Sequence, residues 1–578
     1  MHRRLGVGQH LRASIGCALA RLSSHVVLLA LAALGLGLAA GCSPTPATPE
    51  TPTLTPGGSP AATSSPTATA PPATATISPE RLSEVIEAGA DVPSVFNPLL
   101  PEAAPAQRVI DNLFDTLLTV DAETGQVTPH LASGWDISTD NLMVTFHLRS
   151  DVVWHDSEPF TADDVAFTFE AIHQAGVSAV LKARLNAVTG VSSPDSQTLV
   201  VSFSRSACSL LPDIGQIPIL PGHLLRGQEL TDAKFNTEAP IGTGPFRFKA
   251  LSSSGDVELL RNDKYFLGSP HFSAWVYRRI SDTAALPADL NAGAVDVAEL
   301  SPAQTAQLEP PSRLLTYQKP EYYAIVLNTA QSPLVDVAIR QALSCAIDRD
   351  KLVSEVLGGR GTVIDGPILP GHWAYSVPED LHHYDPAQAQ QLLTEAGWTD
   401  ANHDGIREKN GVPLRIGLSV NGENPIRTAI AARVQRDWLS VGVAAEVQTV
   451  EYAVLVERLF GHNFGAAVFS WPVHPDPDQT RLWASDENAM WSGFNFASYS
   501  NTVQVDAALY AGLVAEACNP KDRASAYAEV LSALAADQPY IYLFVPNAYL
   551  ATSARLEGVR PGPYASLSWN IWQWQARP

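Results

Sequence analysis

From about residue 80 onward, two hydrophobic periods are interleaved along the chain. MVTFHLRSDVVW, 143–154, alternates apolar and polar positions and predicts strands broken by a turn at Arg149–Asp151. TADDVAFTFEAIHQAG, 161–176, switches to helical spacing. It opens on a Thr-x-x-Asp cap, places Val165, Phe167, Phe169 and Ile172 on the apolar face, and stops at Gly176. Residues 335–359 predict a pair of amphipathic helical turns ending on Gly358 and Gly359, and 385–398 a short helix with Pro386 in its first turn and its stop at Gly397. SWPVHPDPDQ, 470–479, follows the apolar run GAAVF, and its three prolines predict an extended, stiff segment in place of a regular strand. Strands and helices intermingle throughout, so the predicted class is α/β with mixed sheets.

The first 80 residues follow no such grammar. Arg3, Arg4, Arg12 and Arg21 precede the apolar run VVLLALAALGLGLAA, 26–40, and then Gly41-Cys42. A basic segment, a short apolar segment and small residues form an export signal over 1–41, and a 15-residue run falls short of the roughly 20 that a spanning helix needs. Residues 42–79 are rich in Pro, Thr, Ser and Ala and cannot bury enough apolar surface to order themselves, which predicts a disordered tether.

Charge narrows the partners. The chain has 37 Lys+Arg against 59 Asp+Glu, a net −22, which disfavours nucleic acid and anionic lipid surfaces. Of five cysteines, Cys208, Cys345 and Cys518 lie in the folded part, far apart and without metal-ligand spacing; buried thiols are expected, with one disulfide at most. The length calls for several domains.

TPHLASGWDISTDNLMVTFHLRSDVVWHDSEPFTADDVAFTFEAI, 128–172, resembles the opening lobe of family 5 extracellular solute-binding proteins, the peptide and nickel receptors of bacterial ABC importers. FNPLL (96–100), APIGTGPFRF (239–248), LLRNDKYFLGSPHF (259–272), VLNTAQSPLVDVAIRQALSCAIDRDKLV (326–353), AGWTDANHDGIREKNGVPLRIGL (396–418), FNFASYSNTVQVDAAL (494–509) and YIYLFVPNAYLAT (540–552) follow in the same order as in that family. Ala39-Ala40-Gly41-Cys42 is similar to a lipobox, which implies lipid attachment at Cys42 and a chain held at the outer face of the cell membrane or in the periplasm. One departure is Ser157, where the family usually has glycine; a turn with positive φ is expected there.

The resemblance implies a two-lobed, periplasmic-binding-protein-like fold with a hinge. Lobe I comprises 80–122, 236–332 and 539–578, an inserted domain 123–235, and lobe II 333–538. It also implies a monomer without cofactor or catalytic residues that delivers a ligand to permease subunits driven by a separate ATPase. The chain has no Gly-x-x-x-x-Gly-Lys-Ser/Thr phosphate loop and no Gly-x-Ser-x-Gly elbow, so it supplies neither the motor nor a recognisable nucleophile.

Two further stretches carry candidate chemistry. In DANHDGIREKNG, 400–411, Asp400, Asn402 and Asp404 occupy places 1, 3 and 5 of a calcium loop, but Gly411 stands where the bidentate glutamate belongs. A polar turn is expected, with weak calcium binding as the alternative. For ligand binding, aromatic walls and a few polar groups are needed. Positions matching the family's cleft are Phe96, Asn97, Tyr322, Tyr323, Trp373, Trp471, His474, Asp476, Asp478, Trp491, Phe494 and Asn495. The resemblance also implies that an aspartate three residues after Trp471 takes a peptide's ammonium group; here that place is His474, which weakens the peptide reading. The expected ligand is a short peptide, with an oligosaccharide, a metal chelate or another solute as the alternative in the same fold. A sensory receptor and a secreted hydrolase are the readings from other classes.

Overall fold

The computed structural model describes residues 83–577 apart from 379–380 and 501–502. The expected signal, Cys42 and the tether therefore lie outside the described residues.

The strands used below are β1 (Glu84–Gly89), β2 (Ala132–Ile137), β3 (Met143–Leu148), β4 (Val188–Asp195), β5 (Thr198–Phe203), β6 (Phe246–Leu251), β7 (Val257–Arg261), β8 (Ala274–Arg279), β9 (Val297–Glu299), β10 (Glu321–Leu327), β11 (Arg415–Asn421), β12 (Ala444–Val450), β13 (Ala466–Pro472) and β14 (Tyr540–Thr552). A long mixed sheet runs in the order β12-β11-β13-β10-β14-β9-β1-β8-β7-β6. β1 pairs parallel with β8 and β9, and β11 parallel with β12 and β13, each through a connection long enough to cross over; the remaining pairs on this path are antiparallel. A separate antiparallel sheet, β2-β3-β5-β4, falls within 132–203.

The 13-residue β14 joins the two halves of the long sheet. Its first residues, Tyr540–Phe544, pair with β10, while Asn547–Thr552 pair with the strand Arg313–Gln318. Between those halves the Lys319 N–H donates to the Pro546 carbonyl at 2.8 Å.

Hydrophobic packing divides the same way. One core gathers residues between Val85 and Val297 together with Leu550, Leu567 and Trp574. Two others lie on opposite faces of β10: Tyr322, Ala324 and Val326 enter one, and Tyr323, Ile325 and Leu327 the other. Strand side chains alternate in direction, so neighbouring tyrosines must face opposite ways. The β10 side of the sheet and the first half of β14 thus belong to a body with its own core.

The predicted local signals hold. Thr161 and Asp164 form a reciprocal capping box at the head of helix Ala162–Ala171, the Thr161 N–H donating to Asp164 Oδ2 at 3.0 Å. The pair of turns at 335–359 is two helices, Val337–Cys345 and Arg349–Leu357, the second closed by Gly358 in the left-handed region. Asp385 caps the helix Pro386–Glu395. Ser157 adopts φ 78°, the conformation expected where a glycine is usual.

Two expectations are corrected. The regular strand β13 continues through Ser470, Trp471 and Pro472, because Pro472 ends the strand opposite Glu321, where a missing N–H is tolerated. Only from Val473 does the irregular extended segment begin. Buried thiols were expected, but Cys208 and Cys518 form a disulfide, their Cα atoms 5.1 Å apart. They lie 310 residues apart, so nothing local announces the pair. Cys345 is a buried thiol whose pKa burial pushes up to about 11.

Candidate functional site

A cavity of about 1050 Å³ opens between the first body and the segment after β13. Its first wall begins with the turn Pro101–Ala106 and the helix Gln107–Leu113, which bring Gln107, Ile110 and Asp111 to the surface of the cavity. The chain end of that helix is held by two glycines from APIGTGPF. The backbones of Gly242 and Gly244 approach Leu113 so closely that a Cβ at either position would collide with its carbonyl group. This packing places Phe114 and Asp115 at the cavity. Helices Ala179–Arg184 and Leu211–Gly215 contribute Leu181, Arg184 and Asp213, and the C-terminal stretch contributes Tyr564, Trp569 and Trp572. His474 and Pro475 form the facing wall. The lining is mostly apolar and aromatic with a few charged groups, the composition a small-solute site requires.

The carboxylates of the cavity differ in how they are held. Asp111 accepts hydrogen bonds from Ser566 Oγ and Gln107 Nε2, each at 2.6 Å, and burial raises its pKa against those bonds and the Arg108 charge. Asp115 is bonded by Thr243 Oγ1 at 2.8 Å, Tyr265 Oη at 3.1 Å and the His130 ring at 2.8 Å. The Asp213 side chain forms no hydrogen bond or ion pair among the described residues, and neither does that of Arg184. His474 is reached by water yet enclosed by protein on most sides. This enclosure lowers its pKa, outweighing the opposing effects of Asp213 and Asp476.

The segment after His474 is tied down. Asp476 receives two bonds from the Arg523 guanidinium, at 2.9 and 2.7 Å, in a buried pair. Burial opposes the charge of Arg523, but Asp476 and Tyr527 outweigh it and its pKa is raised. Asp478 accepts from the N–H and hydroxyl of Thr480 at 2.9 and 2.6 Å, and burial raises its pKa. The Pro475 carbonyl bonds the His372 ring at 2.9 Å.

The sequence-predicted residues disperse. Among the twelve ligand candidates only His474 lines the cavity. Phe96 packs on Phe248 at 5.1 Å, and the fully buried Asn97 bonds Asn236 and the Leu99 N–H, just behind Pro98 and Leu100 of the lining. Tyr322 and Tyr323 are buried in the two cores on either face of β10. Trp471 stacks on Phe496 at 5.4 Å, also within a core. Trp373 is half-buried beneath the Arg523 guanidinium. Phe494 lies under Arg481, Asn495 closes a turn by bonding both backbone groups of Tyr499, and Trp491 is 47% exposed at φ 69°. The sequence did carry one unused signal for the cavity: Asp111 and Asp115 stand four apart in the apolar run VIDNLFDTLL.

At 400–411 the acidic side chains are used by their own loop. Asp400 accepts from the Asp404 and Gly405 N–H groups, Asn402 from Asp404, and Asp404 from Ile406. Among the described residues no three His, Cys, Asp or Glu side chains are arranged to hold a metal ion, and no helix is long and apolar enough to cross a membrane.

A two-lobed fold is also what known proteins of similar sequence present. AppA, an oligopeptide-binding protein of Bacillus subtilis, is 29% identical over 511 residues, covering 86% of this chain and 92% of the relative. Its structure with a nonapeptide superposes with a TM-score of 0.62 at 28% identity, covering 86% of this chain and 99% of that one. NikZ of Campylobacter jejuni, solved with Ni(L-His), gives a TM-score of 0.64 at 27% identity, with 86% and 100% covered. A heme-binding protein A of Haemophilus influenzae is 25% identical over 509 residues, 82% of this chain and 89% of its own length. The family model "Bacterial extracellular solute-binding proteins, family 5 Middle" matches residues 126–492, more than half of the chain, and the protein belongs to that family.

Proposed function

We propose that this protein captures a short peptide in the cavity between its two bodies and hands it to the permease of an ABC importer. The observation that carries the reading is the cavity itself: about 1050 Å³, aromatic and apolar walls, charged groups on one side and an imidazole on the other. Such a volume suits a ligand larger than a single amino acid. AppA, with its nonapeptide, supports the peptide class.

Closure works without chemistry. Ligand shifts the two bodies toward the closed arrangement only by the difference between its affinities for closed and open forms. The crossings at Lys319–Pro320 and Val545–Asn547 serve as the hinge, since each carries a single strand from one core to the other. Lobe II then begins near residue 320 and takes in the first half of β14, while 123–235 remains the insertion. Cys42 carries the lipid that holds the mature chain at the membrane, acting through the 42–79 tether; loss of labelled palmitate from Cys42→Ala tests this.

Mass spectrometry of solute co-purified with the protein, followed by melting in the presence of di- to pentapeptides, tests the ligand class. Peptides are expected to raise Tm; if all fail while a sugar or a metal chelate succeeds, the peptide reading is wrong. A metal chelate is the second reading, favoured by the His474 imidazole at the cavity.

A further inference from the structure

The two carboxylates that follow His474 on its wall are not free to meet a cationic ligand. Asp476 is engaged by Arg523 and Asp478 by Thr480. On the opposite wall, Asp111 and Asp115 are likewise satisfied by protein donors. Asp213 is the exception among the cavity's acids, because it lines the cavity, is exposed to it and has no bonded partner among the described residues. It also lies close enough to His474 to act on it electrostatically.

We propose that Asp213 and His474, from facing walls, together bind a protonated amine of the ligand, with Arg184 available for its anionic end. Asp213 supplies the charge, in a charge-assisted hydrogen bond. His474 supplies a ring nitrogen as acceptor from the other side. The ligand class is an amine-bearing solute, and for a peptide the amine is its N-terminus. This rests on the reading of the cavity as the ligand site. The counter-charge therefore stands on the wall opposite the position that sequence comparison picks out.

The two groups are held in place by one another's supports. Leu211 and Ile214, on either side of Asp213, are buried in the first core. Five residues earlier, Cys208 is bonded to Cys518 of the second body. Arg523 donates both to the Cys208 carbonyl, at 3.3 Å, and to Asp476, two residues after His474. Ser206 and Asn141 add hydrogen bonds to the carbonyls of Leu513 and Ala515. A receptor split between two walls works only if the walls keep their register, and this set of bonds supplies it.

The test is calorimetric titration of the disulfide-bonded protein with trialanine, N-acetyl-trialanine and spermidine, each repeated on Asp213→Asn. Asp213 is at the surface, so the variant is expected to fold, which its melting curve checks. Trialanine should bind at least tenfold more tightly than its acetylated form, and D213N should lose that preference together with at least tenfold in affinity. Adding His474→Asp to D213N should restore binding, because it returns a carboxylate from the other wall. If D213N keeps both affinity and preference, the assignment is overturned while the peptide reading stands. If trialanine fails but spermidine binds through Asp213, the peptide reading falls and the amine site stands. If neither amine binds the parent protein, the amine site is overturned.

Discussion

The two bodies are connected in two physically different ways. At the sheet crossing, the links are main-chain: two strands pass from one core to the other, with Lys319 bonded to Pro546 and Asn547 to the Arg360 carbonyl. At the far connection the links are a disulfide and side-chain bonds to carbonyls, all within 141, 206–208 and 513–523, and the Arg523 that makes one of them is anchored inside the second body by its buried ion pair with Asp476. Backbone at a crossing can change direction by small rotations at a few residues. A covalent bond between separately packed bodies sets a hard limit on how far they part. In a solute-binding protein both properties act on the same event, the opening of the cavity.

Removing the covalent link gives the largest expected effect. The disulfide closes a 310-residue loop, and chain entropy alone assigns it about 6 kcal/mol of stability. Cys208→Ser with Cys518→Ser should lower the urea midpoint accordingly and speed ligand exchange in stopped flow. Unchanged exchange would show that the strap does not limit opening.

Arg523→Met comes next. It leaves Asp476 buried without its counter-charge, at a cost of about 3–5 kcal/mol. Pairing it with Asp476→Leu should recover most of that loss, and a double-mutant cycle in urea measures the coupling. A cycle with no coupling would remove the ion pair from the account of this connection.

The His372 ring lies between the walls, bonded to Pro475 and beside Gly125. Burial lowers its pKa to about 4, against 6.5 when unfolded, with the Pro475 carbonyl opposing. Between those values the unfolded chain binds more protons than the folded one, so stability is present above pH 6.5 and lost as pH falls toward 4. The contribution of this group is at most about 3 kcal/mol. The buried acids with raised pKa values, Asp111 and Asp478 among them, act in the opposite sense over their own range. His372→Gln should therefore flatten the acid side of the stability profile measured by urea unfolding at pH 4.5 and 7.

The smallest effect lies away from both connections. Ser157→Gly relieves a positive φ and should stabilise by about 0.5–1 kcal/mol, without changing ligand affinity. A change in affinity would mean that the turn communicates with the cavity.

Local chemistry made much of the fold legible. The Thr161–Asp164 box, the Asp385 cap, the Gly358 stop and the strain at Ser157 all depend on neighbours within a few residues. Even the opposite facing of Tyr322 and Tyr323 follows from strand alternation, which forbids the two from sharing one cleft wall. The site was far less legible. Trp471 is the right residue type for a ligand wall, yet its ring is spent on Phe496. Asp476 looks free in PVHPDPDQ until Arg523, 47 residues later, arrives beside it.

The sequence by itself determined the elements, the order of the landmarks and hence the family, because caps, turns and periodicity act over the range of a helical turn or a strand pair. The tertiary structure decided which cysteines join, which acids are already neutralised and which residues share the cavity. Those outcomes depend on segments such as 208 and 518, or 213 and 474, meeting in space, and a short-range pattern carries no record of such meetings. Asp213, an unremarked acid in a five-residue helix, becomes significant only through what stands opposite it.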